Sequence, residues 1–388
     1  MSTKYINIQK VKNVGTLILH IFADSFFMSS NKNNYVVIMA GGIGSRFWPF
    51  SRNNHPKQFH DILGTGKTMI QQTAERFGNI CPQENIFIVT NRIYKEKVKE
   101  QLPYLFGNQI LLEPIARNTA PCLAYAAYKI FQQNPDANII VAPSDHVILK
   151  EREFESFIHE GLKQTAQNDI IVTLGIKPHR PDTGYGYIQF LENKSFGALH
   201  KVKTFTEKPN LEVAKQFVDS GEFVWNAGIF LFNAKTILKA FEENMPETAE
   251  IFKLGNSAYF TTDESKFIES AYSQSKSISI DYGIMEKAAN VHVLLCEFGW
   301  SDLGTWKSLY EISPKDENQN ALSGKHLLYD TKNCIVRTSQ NKVVVVEGLD
   351  NYIVAEFDNV LMICKKDSEQ KVKQFLNDAK ERFGEDFV

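Results

Sequence analysis

From Tyr35 onward, apolar runs rich in β-branched residues alternate with amphipathic stretches. The runs at 35–40, 85–90, 109–112, 138–142 and 169–174 predict strands, and 68–77, 94–102, 120–132 and 151–167 predict helices between them. Continuously apolar strands alternating with helices predict an α/β fold, a Rossmann-like, mostly parallel sheet with helices on both faces. In such a sheet ligands sit beyond the carboxyl ends of the strands, so the loops after Ala40 and Ala142 are where chemistry is expected.

After Ser313 the texture changes. Short apolar runs recur at 334–336, 343–346, 352–355 and 361–364, with Asn333, Asn351 and Asn359 preceding three of them. That spacing fits a small stacked β element of a few β-helix coils, closed by an amphipathic helix at 368–383. The expected organisation is an N-terminal extension over 1–34, a main domain over 35–313 and a small β-rich domain over 314–388. An apolar stretch at 14–28 has some likeness to an export signal. His20 and Asp24 interrupt it and no small-residue cleavage site follows, so residues 1–27 read as a poorly ordered tail or a start-site extension. The same stretch is too short and too polar to span a bilayer.

Composition narrows the function classes. The chain has 388 residues, 43% hydrophobic and 23% charged, with a net charge of −2. Nothing in that balance asks for nucleic acid or an anionic membrane as partner, so a bound anion must be met by local cations and backbone N–H groups. The cysteines, Cys81, Cys122, Cys296, Cys334 and Cys364, are far apart and form no CxxC, which points to reduced thiols and a cytoplasmic protein.

The segment Ala40-Gly41-Gly42-Ile43-Gly44-Ser45-Arg46 follows the first strand. Its glycines let the backbone turn and aim N–H groups at phosphate oxygens. A dinucleotide GxGxxG beginning at Gly42 would need glycine where Phe47 stands, and a Walker loop ending in Gly66-Lys67-Thr68 would need glycine at Asp61. Downstream, Trp48-Pro49 and Pro56-Lys57-Gln58-Phe59 stiffen the segment, so Arg46 and Lys57 can be held at a fixed separation. A guanidinium fork and a point charge aimed at one pocket suit a triphosphate, though a solvated surface loop fits these residues equally well taken alone.

The run 39–49 with 56–59 closely resembles the signature of mannose-1-phosphate guanylyltransferases and, more loosely, that of all sugar-phosphate nucleotidyltransferases. The resemblance continues through Glu113-Pro114-Ile115-Ala116-Arg117-Asn118-Thr119, Pro143-Ser144-Asp145-His146, Thr183-Gly184-Tyr185-Gly186, Glu207-Lys208-Pro209, Trp225-Asn226-Ala227-Gly228, Asp281-Tyr282-Gly283 and Trp300-Ser301-Asp302. It implies the nucleotidyltransferase fold and transfer of GMP from GTP to α-D-mannose 1-phosphate. On this resemblance Asp145 and Asp302, each following an apolar strand, hold one Mg2+, which usually takes one or two carboxylates plus phosphate oxygens. Arg46, Lys57 and Lys208 serve the phosphates; Ala40, Gly41, Gly42, Gly44, Glu113, Asn118, Thr119 and Ser144 bind the nucleotide; Gly184, Glu207 and Asn226 meet the sugar.

Each residue also has a plainer reading. Either aspartate could cap a turn, Arg117 and Asn118 could cap the helix starting near Ala120, and Glu207 could be a surface ion-pair partner. His146 reads as a structural or supporting residue, and Trp225, Trp300 and Trp306 as packing residues. Within the enzyme class the alternative is a relative using another base or sugar; outside it, a non-catalytic sugar-nucleotide sensor of the same fold. A homo-oligomer is compatible with the terminal β element.

Overall fold

The computed structural model describes residues 32–339 and 341–388. The expected N-terminal extension lies outside them up to residue 31, and Asn34 already opens the first strand.

Nine strands form the main sheet: β1 Asn34–Met39, β2 Ile86–Asn91, β3 Ile110–Glu113, β4 Asn138–Pro143, β6 Ile171–Ile176, β7 Tyr187–Phe196, β8 Leu199–Thr206, β9 Phe223–Asn233 and β10 Val291–Cys296. Two short strands, β5 Val147–Ile148 and β11 Trp300–Ser301, make a separate ribbon. The sheet order is β3-β2-β1-β4-β9-β6-β10-β8-β7. The four strands from β3 to β4 are parallel, as are β6 and β10. β9 runs antiparallel between β4 and β6, and the β7–β8 hairpin adds an antiparallel edge. The α/β class holds, but the sheet is mixed where sequence predicted mostly parallel strands. The hairpin went unseen because its residues alternate with Gln, Glu and Lys, the mark of strands solvated on one face.

Helices cover both faces: α1 Met69–Arg76, α2 Lys95–Gln101, α3 Thr119–Gln133, α4 Glu151–Gln167, α5 Leu211–Ser220, α6 Ala234–Asn244, α7 Pro246–Lys253 and α8 Glu264–Gln274. Strand β1 shows why both are needed. Tyr35 and Val37 enter the core under α3, α6 and α8, while Val36 and Ile38 enter the one under α1, α2 and α4. Successive side chains of a strand point to opposite faces, so an all-apolar strand must be covered twice.

Beyond α9 Trp306–Ile312 come β12 Ala321–Ser323, β13 Lys325–Tyr329, β14 Ile335–Arg337, β15 Val343–Glu347, β16 Tyr352–Phe357, β17 Val360–Lys365 and α10 Val372–Phe383. β12, β14 and β16 stack in parallel, with Ala321, Ile335 and Ile353 in register, and β13 stacks on β15. Asn333 and Asn351 turn the chain into these coils at φ of +55° and +65°, a region asparagine enters more easily than most residues. The coils share a core with the segment behind the glycine loop: Phe47, Trp48 and Trp306 pack with Ile335, Ile353 and Val372. No helix among the described residues is long and apolar enough to cross a membrane.

Candidate active site

The loop after β1 is shaped by close approach. Gly44 has a φ of +77°, and a Cβ there would stand 2.8 Å from that of Lys57, so glycine is required on both counts. A Cβ on Gly41 would sit 3.0 Å from Glu113 Oε2, whereas Gly42 faces open space. Ala40 is buried, its carbonyl accepting from Gln58 Nε2 at 2.9 Å and Thr90 Oγ1 at 2.8 Å, which fixes the base of the loop.

The ribbon of β5 and β11 brings the two aspartates together. It pairs Val147 with Ser301 and Ile148 with Trp300. Extending that register by one residue sets His146 opposite Asp302, with Asp145 beside it. Lys57, only 2% exposed, closes the junction. Its Nζ donates to Asp145 Oδ2 at 2.8 Å, to the Asp302 carbonyl at 2.8 Å and to the Leu303 carbonyl at 2.9 Å. An ammonium has three N–H donors, and the protein engages all three. The sequence reading aimed Lys57 at the triphosphate; here it clamps the two aspartate segments. Burial alone would raise the Asp145 carboxyl, but the charge and hydrogen bond of the Lys57 ammonium lead the opposing effects, and the carboxyl lies below the usual carboxylate range.

Asp302 Oδ1 accepts from the Tyr185 hydroxyl at 2.8 Å and from Gly304 N at 2.9 Å, while no protein donor among the described residues bonds Oδ2. Nor is any group of three or more His, Cys, Asp or Glu placed among them to hold a metal. Two hard carboxylates facing one cavity fit Mg2+, whose other ligands are commonly phosphate oxygens and water.

Two cavities meet at this junction. One, of about 250 Å³, is bounded by Gly44, Arg46, Lys57, Asp145 and Asp302, and also by Lys373 from α10. The other, of about 310 Å³, is bounded by Gly184, Tyr185, Glu207, Lys208, Asn226 and Asp281. Arg46, His146 and Asp302 line both. On the second side, Asn226 is held at both ends: Oδ1 accepts from Thr173 Oγ1 at 2.9 Å and Gly228 N at 3.1 Å, and Nδ2 donates to Asp281 Oδ1 at 3.0 Å. Glu207 and Lys208 form a close ion pair. Gly186 makes room for Glu207, since a Cβ there would lie 2.5 Å from Oε2. Burial, then the Glu207 charge, pushes the Asp281 carboxyl up to about 6.

Glu113 ends β3 and is 6% exposed. Burial pushes its carboxyl up to about 7 against the lowering effect of the Tyr272 hydroxyl, which donates to Oε1 at 3.0 Å. A raised carboxyl penalises the fold only where it is ionised. That cost is absent below the ordinary value of 4.5, grows as pH rises to about 7, and stays constant above. Glu113→Gln should therefore be more stable than wild type at pH 8, by on the order of 3 kcal/mol, with no difference at pH 4. Urea midpoints at the two pH values check this.

Asn118 caps α3, its side chain accepting from Thr119 N at 2.9 Å, and Thr119 Oγ1 accepts from Ile280 N at 2.9 Å while lining the second cavity. Ser144 is buried and lines neither cavity. Trp225 and Trp306 are core residues as expected, whereas Trp300 borders the second cavity. Tyr185, Gly186, Asp281 and Lys373 were not singled out from sequence. The first three lie inside motifs that were; Lys373 is one of several lysines on an amphipathic helix and carries no local signal.

A glycine loop after the first strand of a helix-covered sheet, with two carboxylates, a buried lysine and a half-buried arginine beyond the strand ends, defines a nucleotidyltransferase. The Nucleotidyl transferase family is matched over residues 35–319, and the MannoseP isomerase/GMP-like beta-helix domain over 324–378. Mannose-1-phosphate guanylyltransferases of Klebsiella pneumoniae and Escherichia coli are each 35% identical over 350 residues, covering 89% of this chain and 74% of theirs. A crystal structure described as mannose-1-phosphate geranyltransferase from Thermus thermophilus superposes with a TM-score of 0.81 at 30% identity, covering 90% of this chain and 99% of that one. The chain belongs to the mannose-1-phosphate guanylyltransferase family.

Proposed function

We propose that this protein transfers GMP from GTP to α-D-mannose 1-phosphate, giving GDP-mannose and pyrophosphate, with Mg2+ held by Asp145 and Asp302. The observation that carries the reading is the convergence of those two carboxylates where a cation-lined cavity meets one lined by Glu207 and Asn226. The names of the bacterial relatives support it. A sugar 1-phosphate oxygen is anionic near neutral pH, so its attack needs no side-chain base. A new P–O bond forms at the α-phosphorus as the bond to the β-phosphate oxygen breaks, and pyrophosphate leaves with the electron pair. Bound Mg2+ would supply positive charge to the phosphate oxygens as this happens. Arg46 offers a guanidinium fork to the same phosphates, the glycine-loop N–H groups orient them, and Lys208 meets the sugar phosphate. Glu207 and Asn226 hold sugar hydroxyls and disfavour sugars whose hydroxyls are misplaced.

The test is pyrophosphate release across a panel of NTPs and sugar 1-phosphates, with and without EDTA. Turnover should be highest with GTP and mannose 1-phosphate and should stop on chelation; higher turnover with dTTP or UTP would refute the guanine assignment. Lys373 brings a third cation to the phosphate cavity. Lys373→Ala should raise the KM for GTP roughly 2- to 5-fold, the scale of one solvent-exposed ion pair, and leave the KM for mannose 1-phosphate unchanged. Initial rates against each substrate would show the split.

A further inference from the structure

We infer that His146 donates a hydrogen bond from Nε2 to the phosphate groups where the two substrates meet, and that Trp300 holds it in the tautomer able to do so. The inference rests on the nucleotidyl-transfer reading above. Trp300 Nε1 lies 3.2 Å from His146 Nδ1, with the rings edge to face at 82°. An indole N–H can only donate, so Nδ1 must be the acceptor and the ring proton sits on Nε2.

Placement supplies the rest. His146 is half-buried, and among the described residues no protein group bonds Nε2. Among the described residues only Arg46 and Asp302 share with it the property of lining both cavities, and each already has a place in the proposed chemistry. The ring is fixed from two directions, by the indole and by the β5–β11 ribbon that starts at the next residue. A ring N–H at this position adds hydrogen bonding beside Asp145 and Asp302.

Asparagine and glutamine separate this role from a structural one. In His146→Asn the amide sits near the Nδ1 position and can accept from Trp300, but it does not reach the Nε2 site. In His146→Gln the amide N–H reaches that site. The expected result is a roughly 10- to 100-fold loss of kcat/KM in the asparagine variant, as for a lost hydrogen bond to a charged group, with most of it regained in the glutamine variant. Metal-free calorimetry with GDP-mannose should show the same order of affinities. Asparagine at wild-type activity and affinity, or glutamine no better than asparagine with both folded, overturns the inference and leaves the reaction assignment standing. A wild-type protein that releases no pyrophosphate from any substrate pair removes the reaction assignment and this inference together. Should the asparagine variant fail to fold, GDP-mannose affinity of the glutamine variant decides: within about 3-fold of wild type sustains the donor role, and a larger loss ends it.

Discussion

Lys57→Met should cost this protein both its activity and a large part of its stability. The ammonium is buried and carries three contacts, one to the Asp145 carboxylate and two to the carbonyls of Asp302 and Leu303. Methionine keeps the apolar stem of the side chain, ends where the ammonium would begin, and removes every donor. Asp145 then loses the charge that offsets its burial, and two carbonyls lose their partner. Removing one member of a fully buried pair typically costs about 3–5 kcal/mol, and with Asp145 30% exposed the loss should fall near the lower end. The two aspartates also lose the tie that keeps them side by side, so turnover should fall roughly 10³-fold or more, beyond the effect of deleting one charge-stabilising group. Urea unfolding and pyrophosphate release measure the two losses separately. A variant as stable as wild type would show that the clamp does not hold.

Asp302→Asn should separate chemistry from folding. The amide oxygen can still accept from Tyr185 and Gly304, the two donors that hold Oδ1. The unfolding free energy should therefore stay within about 1 kcal/mol of wild type, as for substitutions that leave no group unpaired. The lost charge faces both cavities, and on the proposed reaction turnover should fall roughly 10²- to 10³-fold. Steady-state rates at saturating substrates, with the thermal midpoint as control, provide the measurement. A near-normal rate would take Asp302 out of the metal site.

Much of this was legible in the sequence, for identifiable reasons. Strands β1 to β4 and β6 announced themselves because burial on both faces demands unbroken apolar runs. The glycine loop was legible because Gly44 occupies a conformation and a space that no other residue tolerates. Asn333 and Asn351 marked the coil turns, since left-handed backbone favours that side chain. What stayed hidden depends on partners distant in the chain. The β5–β11 ribbon consists of two residues on each side, too few to carry a pattern, yet it aligns Asp145, His146 and Asp302. Lys57 looked like a free cation because both carbonyls it binds lie more than 240 positions away. Asp281 and Tyr185 acquire meaning only through Asn226 and Asp302.

The shared core behind the glycine loop has a consequence for synthesis. Phe47 and Trp48 emerge from the ribosome early, whereas the surfaces that pack on them, Ile335, Ile353 and Val372, emerge about three hundred residues later. Trp48 Nε1 also donates to the Phe387 carbonyl at 2.7 Å. The nascent chain can complete its large sheet while the glycine loop still lacks its backing. Competence thus arrives in two stages, and the second waits for the tail to dock.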